Sequence, residues 1–100
     1  MLWERLRSES LEIALAAVDA ARVAPYPELQ DDIAALMRDR FDQLDRAGVE
    51  RILDCLDAIG DGRLVRTMEE VLAARGTQLG EHHAWRARHI VQRIRRFGRR

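Results

Sequence analysis

One apolar pattern occurs three times along the chain at a spacing of 38 residues, from position 11 to 49 to 87. Each copy fills a helix-length block with residues at the spacing of one helix face. The copies are Leu11, Ala14, Leu15, Val18 and Ala21; Val49, Ile52, Leu53, Leu56 and Ile59; and Ala87, Ile90, Val91, Ile94 and Phe97. A repeat of this period is typical of stacked helical arrays, which generally act through their surfaces.

Capping and breaking residues divide the chain into five full helices after a partial one that carries Leu2, Trp3 and Leu6. The predicted full helices are residues 10–23, 27–41, 43–59, 62–75 and 82–97. Their boundaries rest on six signals: Ser8 or Ser10 as a cap, Pro25 and Pro27, Asp42 as a cap, a left-handed Gly60, Asp61 as the next cap, and Gly76 as a stop. Thr77 to Glu81 is predicted as a loop.

The helices between the three copies have their own register. Leu29, Ile33, Leu36, Met37 and Arg40 recur 35 positions later as Leu64, Met68, Val71, Leu72 and Arg75. Two interleaved helix families predict an all-α chain of antiparallel helix pairs. We expect a single domain over residues 1–100, with pairs at approximately 1–24, 27–60 and 62–98.

The segment from Leu56 to Val65 resembles the turn of a HEAT repeat of the phycobilin-lyase type, Leu-x-x-Ile-Gly-Asp-x-x-Leu/Val. The sequence departs from that family at Ala24-Pro25-Tyr26-Pro27, and it lacks the usual proline after Asp61. The resemblance implies a short right-handed solenoid of helix pairs. It also implies that helices 10–23, 43–59 and 82–97 line a concave face that binds another protein.

Composition sets the class of protein and its expected compartment. The 17 basic residues are all Arg and the net charge is zero, so the whole chain has no bulk attraction to nucleic acid or membrane. The absence of Lys suggests a GC-rich bacterial genome. A single Cys55, no apolar run of membrane-spanning length and no signal-like N-terminus predict a cytoplasmic protein.

Charge is strongly asymmetric along the chain. Residues 1–81 hold ten Arg and seventeen acids, whereas residues 82–100 hold seven Arg and no acid. The basic last helix also carries Trp85, a combination that can neutralise phosphates and stack on bases. The 38-residue register offers another reading, in which Arg88 and Arg95 reach acids on neighbouring helices. That scheme leaves Arg86, Arg93, Arg96, Arg99 and Arg100 without partners.

No motif predicts catalysis, a metal or a cofactor. His82, His83 and His89 with Glu81 lack the convergent geometry of a zinc site, because adjacent helical residues diverge. Cys55 has no activating base in the sequence and is interpreted as a small filler of the core.

The sequence therefore predicts a non-enzymatic protein-interaction scaffold or adaptor, either part of a longer array or free-standing. The expected partner is another protein, and the alternatives are nucleic-acid binding through the last helix and homodimerisation. The predicted contact residues are Trp85, Arg86, His89, Arg93, Arg96, Glu12, Glu50 and Asp54.

Overall fold

The computed structural model describes the backbone of residues 2–97 and the side chains of residues 3–97. This part of the chain is 85% helical and contains no strand, which confirms the all-α prediction. The helices are α1 (Leu2–Leu6), α2 (Leu11–Val23), α3 (Gln30–Asp39), α4 (Arg46–Ile59) and α5 (Leu64–Phe97). Short 3-10 turns at Pro27–Leu29 and Phe41–Gln43 precede α3 and α4, so the predicted helix over residues 27–41 begins and ends in 3-10 geometry.

The first residues of α2 and α4 are fixed by side-chain caps. Ser10 accepts a hydrogen bond from the Ile13 amide, as predicted. The prediction of Asp42 as the cap of α4 is wrong, because Asp42 lies in a 3-10 turn. Asp45 takes that role instead, and its carboxylate accepts from the Gly48 amide at 2.8 Å.

A single glycine interrupts α5. The prediction of a stop at Gly76 and a loop at residues 77–81 is wrong, because the helix continues to Leu79 and breaks at Gly80, with φ 84° and ψ 163°. The buried side chain of Leu79 keeps the extra turn packed against the core. Gly80 adopts the positive φ that other residues avoid. We name the two parts of this helix α5N (residues 64–79) and α5C (residues 81–97).

The helices pack side by side in a fixed order. α2 contacts α4, α4 contacts α5, and α3 contacts both α4 and α5, while α1 packs on α2. Hydrogen bonds and ion pairs join α3 to α5N through Asp31 and Thr67, and α4 to α5C through Asp54 and Arg86. We therefore call α2, α4 and α5C the α2 row, and α3 with α5N the α3 row.

The core lies between the two rows and uses the residues that the repeat pattern singled out. Ala14, Ala17 and Ala21 are buried at 0–1% exposure, which lets α2 approach its neighbours closely. Phe97 is an exception to the predicted stripe, since it is 75% exposed.

Gly60 is required because two helices meet closely at this position. The prediction that its backbone is left-handed is wrong. Its φ is −65° and its ψ is 142°. A Cβ at this position would lie 2.6 Å from the Leu56 carbonyl oxygen and 2.7 Å from Leu64 Cδ2. The absent side chain thus lets α4 and α5N meet directly at the turn.

Residues 2–97 contain no helix that combines the length and the apolar character needed to cross a bilayer.

Candidate interaction surface

Ion pairs fix α5C against α4. Arg86 Nη1 lies 3.0 Å from Asp54 Oδ1, and Arg93 Nη2 lies 2.6 Å from Asp57 Oδ1 and donates to the Asp57 carbonyl. The expectation that Arg86 and Arg93 lack partners is therefore wrong. They leave the helix on its α4 side, where long guanidinium groups reach the acids of the adjacent helix.

A second contact between the same helices involves a buried histidine. His83 is 7% exposed, and its Nε2 lies 3.3 Å from Glu50 Oε2. Arg46 also approaches Glu50, at 3.7 Å. Two of the predicted partner-binding acids, Glu50 and Asp54, therefore face basic groups of the same molecule.

The remaining arginines of α5C differ in their surroundings. Arg95 pairs with Glu69 of α5N and not with an acid of the α2 row. Arg88 and Arg96 are exposed and make no ion pair within residues 3–97. Arg99 and Arg100 lie outside the described residues.

An exposed aromatic pair lies beside these two arginines. The indole of Trp85 is 57% exposed and stacks on the His89 ring, with centroids 5.0 Å apart and planes 10° apart. Trp85 lies opposite the buried face of α5C, which contains Ala87, Ile90, Val91 and Ile94. A solvent-exposed aromatic stack beside guanidinium groups that form no ion pair within residues 3–97 is typical of anchor points in protein interfaces.

The other edge of the α2 row carries an exposed apolar stripe that the sequence analysis missed. Ile13, Ala16, Ala20 and Val23 all face solvent, with Ile13 47% and Val23 78% exposed. Their spacing of three and four residues is that of a helix-packing face. The signal was present in the sequence, because α2 has apolar residues at almost every position and only three charged ones.

Two free carboxylates lie next to this stripe. Glu12 and Glu9 are exposed, and neither forms an ion pair in the part of the chain that the structure describes. Asp19, on the same helix, forms an ion pair with Arg51, with Arg51 Nη2 2.6 Å from Asp19 Oδ2. Hydrogen bonds from this arginine join α2 to α4. Glu12 is thus the predicted contact residue that remains available at this edge.

We call the solvent-facing side of the α2 row the outer face. Its α2 edge consists of the apolar stripe with Glu9 and Glu12, and its α5C edge consists of Trp85, Arg88, His89, Gln92 and Arg96. Between these edges, α4 presents the small exposed residues Ala47 and Ala58. The predicted contact residues that stay unpaired therefore sit on two edges of one surface.

Reactive groups elsewhere in the chain are buried or dispersed. Burial raises the pKa of Cys55 to about 11, which keeps its fully enclosed sulfur in the thiol form. His82, His83 and His89 do not converge, since His83 points inward to Glu50 while His89 stacks on Trp85. Residues 3–97 contain no cluster of three side chains able to hold a metal ion.

The carboxyl with the most strongly shifted pKa is that of Asp61, which lies in the turn between α4 and α5. A hydrogen bond from Arg63 holds the pKa of Asp61 well below its ordinary value, and Gln30 adds a second donor at 2.9 Å. The Gln30 side chain also accepts from the Asp61 amide, so this pair joins the start of α3 to the turn before α5. Its role is to fix that turn.

No family model, curated protein or solved structure matches this chain.

Proposed function

We propose that this protein is a non-enzymatic interaction scaffold, built as a short right-handed HEAT-like stack of helix pairs, that binds a protein partner on its outer face. The observation that carries the proposal is the exposed Trp85–His89 stack beside the unpaired Arg88 and Arg96. Large aromatic and Arg side chains supply most of the binding energy in protein interfaces. Trp and Arg are the residue types most enriched at such energetic anchor points.

The packing of the helices supports the proposed stack. α2, α4 and α5C follow one another in one row, and α3 and α5N are neighbours in the other. The smallest dimension of the molecule is 18 Å, about two helix layers at the usual interaxial distance of 8–10 Å. Each pair of consecutive helices thus adds one member to each row, as in a repeat array.

The alternative of nucleic-acid binding is weakened by the ion pairs of the last helix. Arg86, Arg93 and Arg95 each contact a carboxylate, so much of the positive charge of α5C is neutralised within the molecule. Binding to phosphates depends on free cationic groups and falls steeply with salt. We therefore favour a protein partner, and we place the protein in the cytoplasm because its single cysteine is an unpaired, buried thiol.

Site-specific photo-crosslinking in cells tests the proposal. A photoreactive phenylalanine analogue at Trp85 is expected to give defined protein adducts, identified by mass spectrometry. The same analogue at Arg66, whose side chain is 91% exposed on α5N outside the outer face, serves as the matched control. Equal adduct patterns at both positions would refute binding on the outer face.

A fluorescence titration with short single-stranded and duplex DNA and RNA at low salt tests the alternative. We expect no saturable change, and a signal that disappears between low and physiological salt would favour nucleic acid over protein.

A further inference from the structure

The solvent side of α5C carries one continuous stripe of exposed side chains. Its members occupy positions i, i+3, i+4, i+7 and i+11 of the helix: Trp85, Arg88, His89, Gln92 and Arg96. This is the spacing of a helix face that packs against a second helix placed alongside it. The face with Ala87, Ile90 and Ile94 is buried in the core, so the stripe points away from the molecule. The stripe is therefore suited to a helix of another molecule lying along α5C.

Acids of the same helix leave the positive charge of this stripe largely unbalanced. Glu81, at the first position of α5C, is the only acid of the helix, since residues 82–97 contain none. Arg88 and Arg96 make no ion pair within residues 3–97, whereas the other arginines of α5C contact acids of α4 or α5N. The two unpaired residues are eight positions apart, about 12 Å along the helix axis. Each guanidinium is available to donate to a carboxylate supplied by a partner.

The C-terminal half of the stripe borders a hollow that contains no carboxylate. The hollow has a volume of about 380 Å³ and is lined by His89, Gln92, Arg93, Arg96 and Phe97. Arg96 supplies a charged donor, Gln92 supplies an amide donor, and the exposed ring of Phe97 supplies an apolar wall. These groups suit an acidic side chain, whose carboxylate accepts from the donors while its methylene groups contact the ring.

The N-terminal half of the stripe supplies an apolar platform. The parallel rings of Trp85 and His89 form a broad flat surface, and a second hollow lies beside it between His82, Trp85 and Arg88. A leucine or aromatic side chain of a partner would pack on these rings, as anchor residues do at the centre of an interface. The surface is therefore complementary to a segment that carries both acids and apolar side chains on one face.

The acids of α4 favour separate carboxylates over a continuous phosphate backbone. Glu50, Asp54 and Asp57 lie beside α5C, and their side chains remain 44%, 46% and 48% exposed. Duplex DNA carries one charge per about 1.7 Å of its axis, so phosphates laid across the outer face would also approach these carboxylates. A helix with acids about seven or eight positions apart meets Arg88 and Arg96 and keeps its charge away from α4.

We propose that the outer face binds an acidic amphipathic helix of a partner protein, which lies along α5C with carboxylates on Arg88 and Arg96 and an apolar side chain on the Trp85–His89 stack. The inference rests on the proposed function, since it names the class of partner for the same surface. The partner is then selected by the spacing of its acids as well as by its net charge.

Selection from a library of displayed random peptides tests the class of partner. The peptides have about 16 residues, enough for four helical turns, and are selected against the full chain. The double variant Arg88→Glu/Arg96→Glu serves as the counter-selection target. We expect the retained peptides to carry two acids about seven or eight positions apart and an apolar residue on the same face. A retained pool without an excess of Asp and Glu, or a pool that fails to distinguish the two proteins, would overturn the inference.

Fluorescence anisotropy of one retained, labelled peptide then measures the individual contacts. Arg88→Glu, Arg96→Glu and Trp85→Ala are each expected to weaken binding about tenfold or more. The matched control Arg66→Glu reverses a charge whose side chain is 91% exposed on α5N, outside the outer face, and should leave the affinity unchanged. A peptide with Lys in place of its acids should bind the double variant more tightly than the unsubstituted chain. Equal affinities for the acidic peptide and its Gln counterpart contradict the assigned carboxylate contacts.

The outcomes also separate this inference from the proposed function. Retained peptides that depend on Trp85 but carry no acids contradict the acidic partner and leave the scaffold proposal standing. A chain that retains no peptide and gives no adducts at Trp85 contradicts both. Saturable, salt-sensitive binding of DNA or RNA that is lost in Arg88→Glu/Arg96→Glu would assign the stripe to phosphates and overturn the inference.

Discussion

Arg40 and Arg75, 35 positions apart in the chain, make the same kind of contact near the ends of α3 and α5N. Arg40 donates to the carbonyls of Ser8 and Glu9, just beyond α1, and to the Gln43 side chain. Arg75 donates to the Arg38 carbonyl in the last turn of α3 and to the Gln78 side chain. Arg40 thus ties the end of α3 to carbonyls just beyond α1, and Arg75 ties α5N to the end of α3. Positive charge is favoured at the C-terminal end of a helix.

Replacement of either arginine is expected to weaken the contact between the helices that it joins. We expect Arg40→Ala and Arg75→Ala each to lower the free energy of unfolding by about 1.5–3 kcal/mol, the usual contribution of hydrogen bonds to a charged group. Arg40→Lys should recover little of it, because an ammonium cannot reproduce the planar fork of a guanidinium. Urea denaturation followed by circular dichroism measures these values, and an unchanged midpoint for all three variants would contradict the assigned role.

The glycines of the α5 region are expected to respond differently to the same substitution. Gly60→Ala should destabilise the protein by about 1–3 kcal/mol, because its Cβ would overlap the Leu56 carbonyl and Leu64. Gly76→Ala is the matched control, with nothing within 4 Å and a helical backbone, and should stabilise it by up to about 1 kcal/mol.

Gly80→Ala should cost about 1–3 kcal/mol through the backbone alone, because its φ and ψ lie in a region open essentially to glycine, while its surroundings leave room for a Cβ. Thermal melts of the three glycine variants side by side measure these shifts. A stabilising Gly80→Ala would place the break of α5 elsewhere.

Asp61 is expected to make stability depend on pH in the acid range. Its pKa is lower in the folded protein than in the unfolded chain, so the unfolded state binds the proton more tightly. The contribution is therefore complete above about pH 5 and is lost as the pH falls through about 3.9 towards the folded value.

Comparison with Asp61→Asn isolates that effect. At pH 7 the variant should be less stable by about 1–2 kcal/mol, and the difference should shrink as the pH approaches 3. Urea denaturation at pH 7, 5, 4 and 3 supplies the values. A difference that stays constant over this range would show that the charge of Asp61 is irrelevant to stability.

Cys55 is expected to be unreactive in the folded protein. The thiol is fully enclosed and burial raises its pKa to about 11, so the thiolate is scarce at pH 8. Labelling by a thiol-reactive chromophore should follow global unfolding and become immediate in denaturant. A rapid native-state reaction would require an opening of the core around α4.

Local sequence signals predicted much of the helical framework. Ser10 and the prolines bounded α2 correctly because caps and proline act within one turn of the chain. The two glycines of α5 could not be ranked in the same way, since both suit a helix end. What decides between Gly76 and Gly80 is the tertiary burial of Leu79.

The interaction surface was less predictable from the sequence, for a geometric reason. The 38-residue register predicted that Arg88 and Arg95 reach acids on neighbouring helices. In the structure, Arg86 and Arg93 pair with Asp54 and Asp57 instead. Side chains reach a neighbouring helix from the flank that faces it, and equivalent positions in a repeat share a flank without facing each other. The same limit hid the stripe at Ile13, because apolar character alone does not say which side of α2 is covered.

Gly80 joins α5N to α5C with one residue, where consecutive helices are ordinarily linked by a loop of several. Because so short a joint has a single φ and ψ pair to adjust, an inserted residue would change the direction and rotation of α5C relative to α5N. Arg86 would then be displaced from Asp54, and Arg93 from Asp57. Which acids the last helix reaches is therefore set by chain length at a single position, which leaves this joint less tolerant of insertion than the turn at Pro25–Pro27.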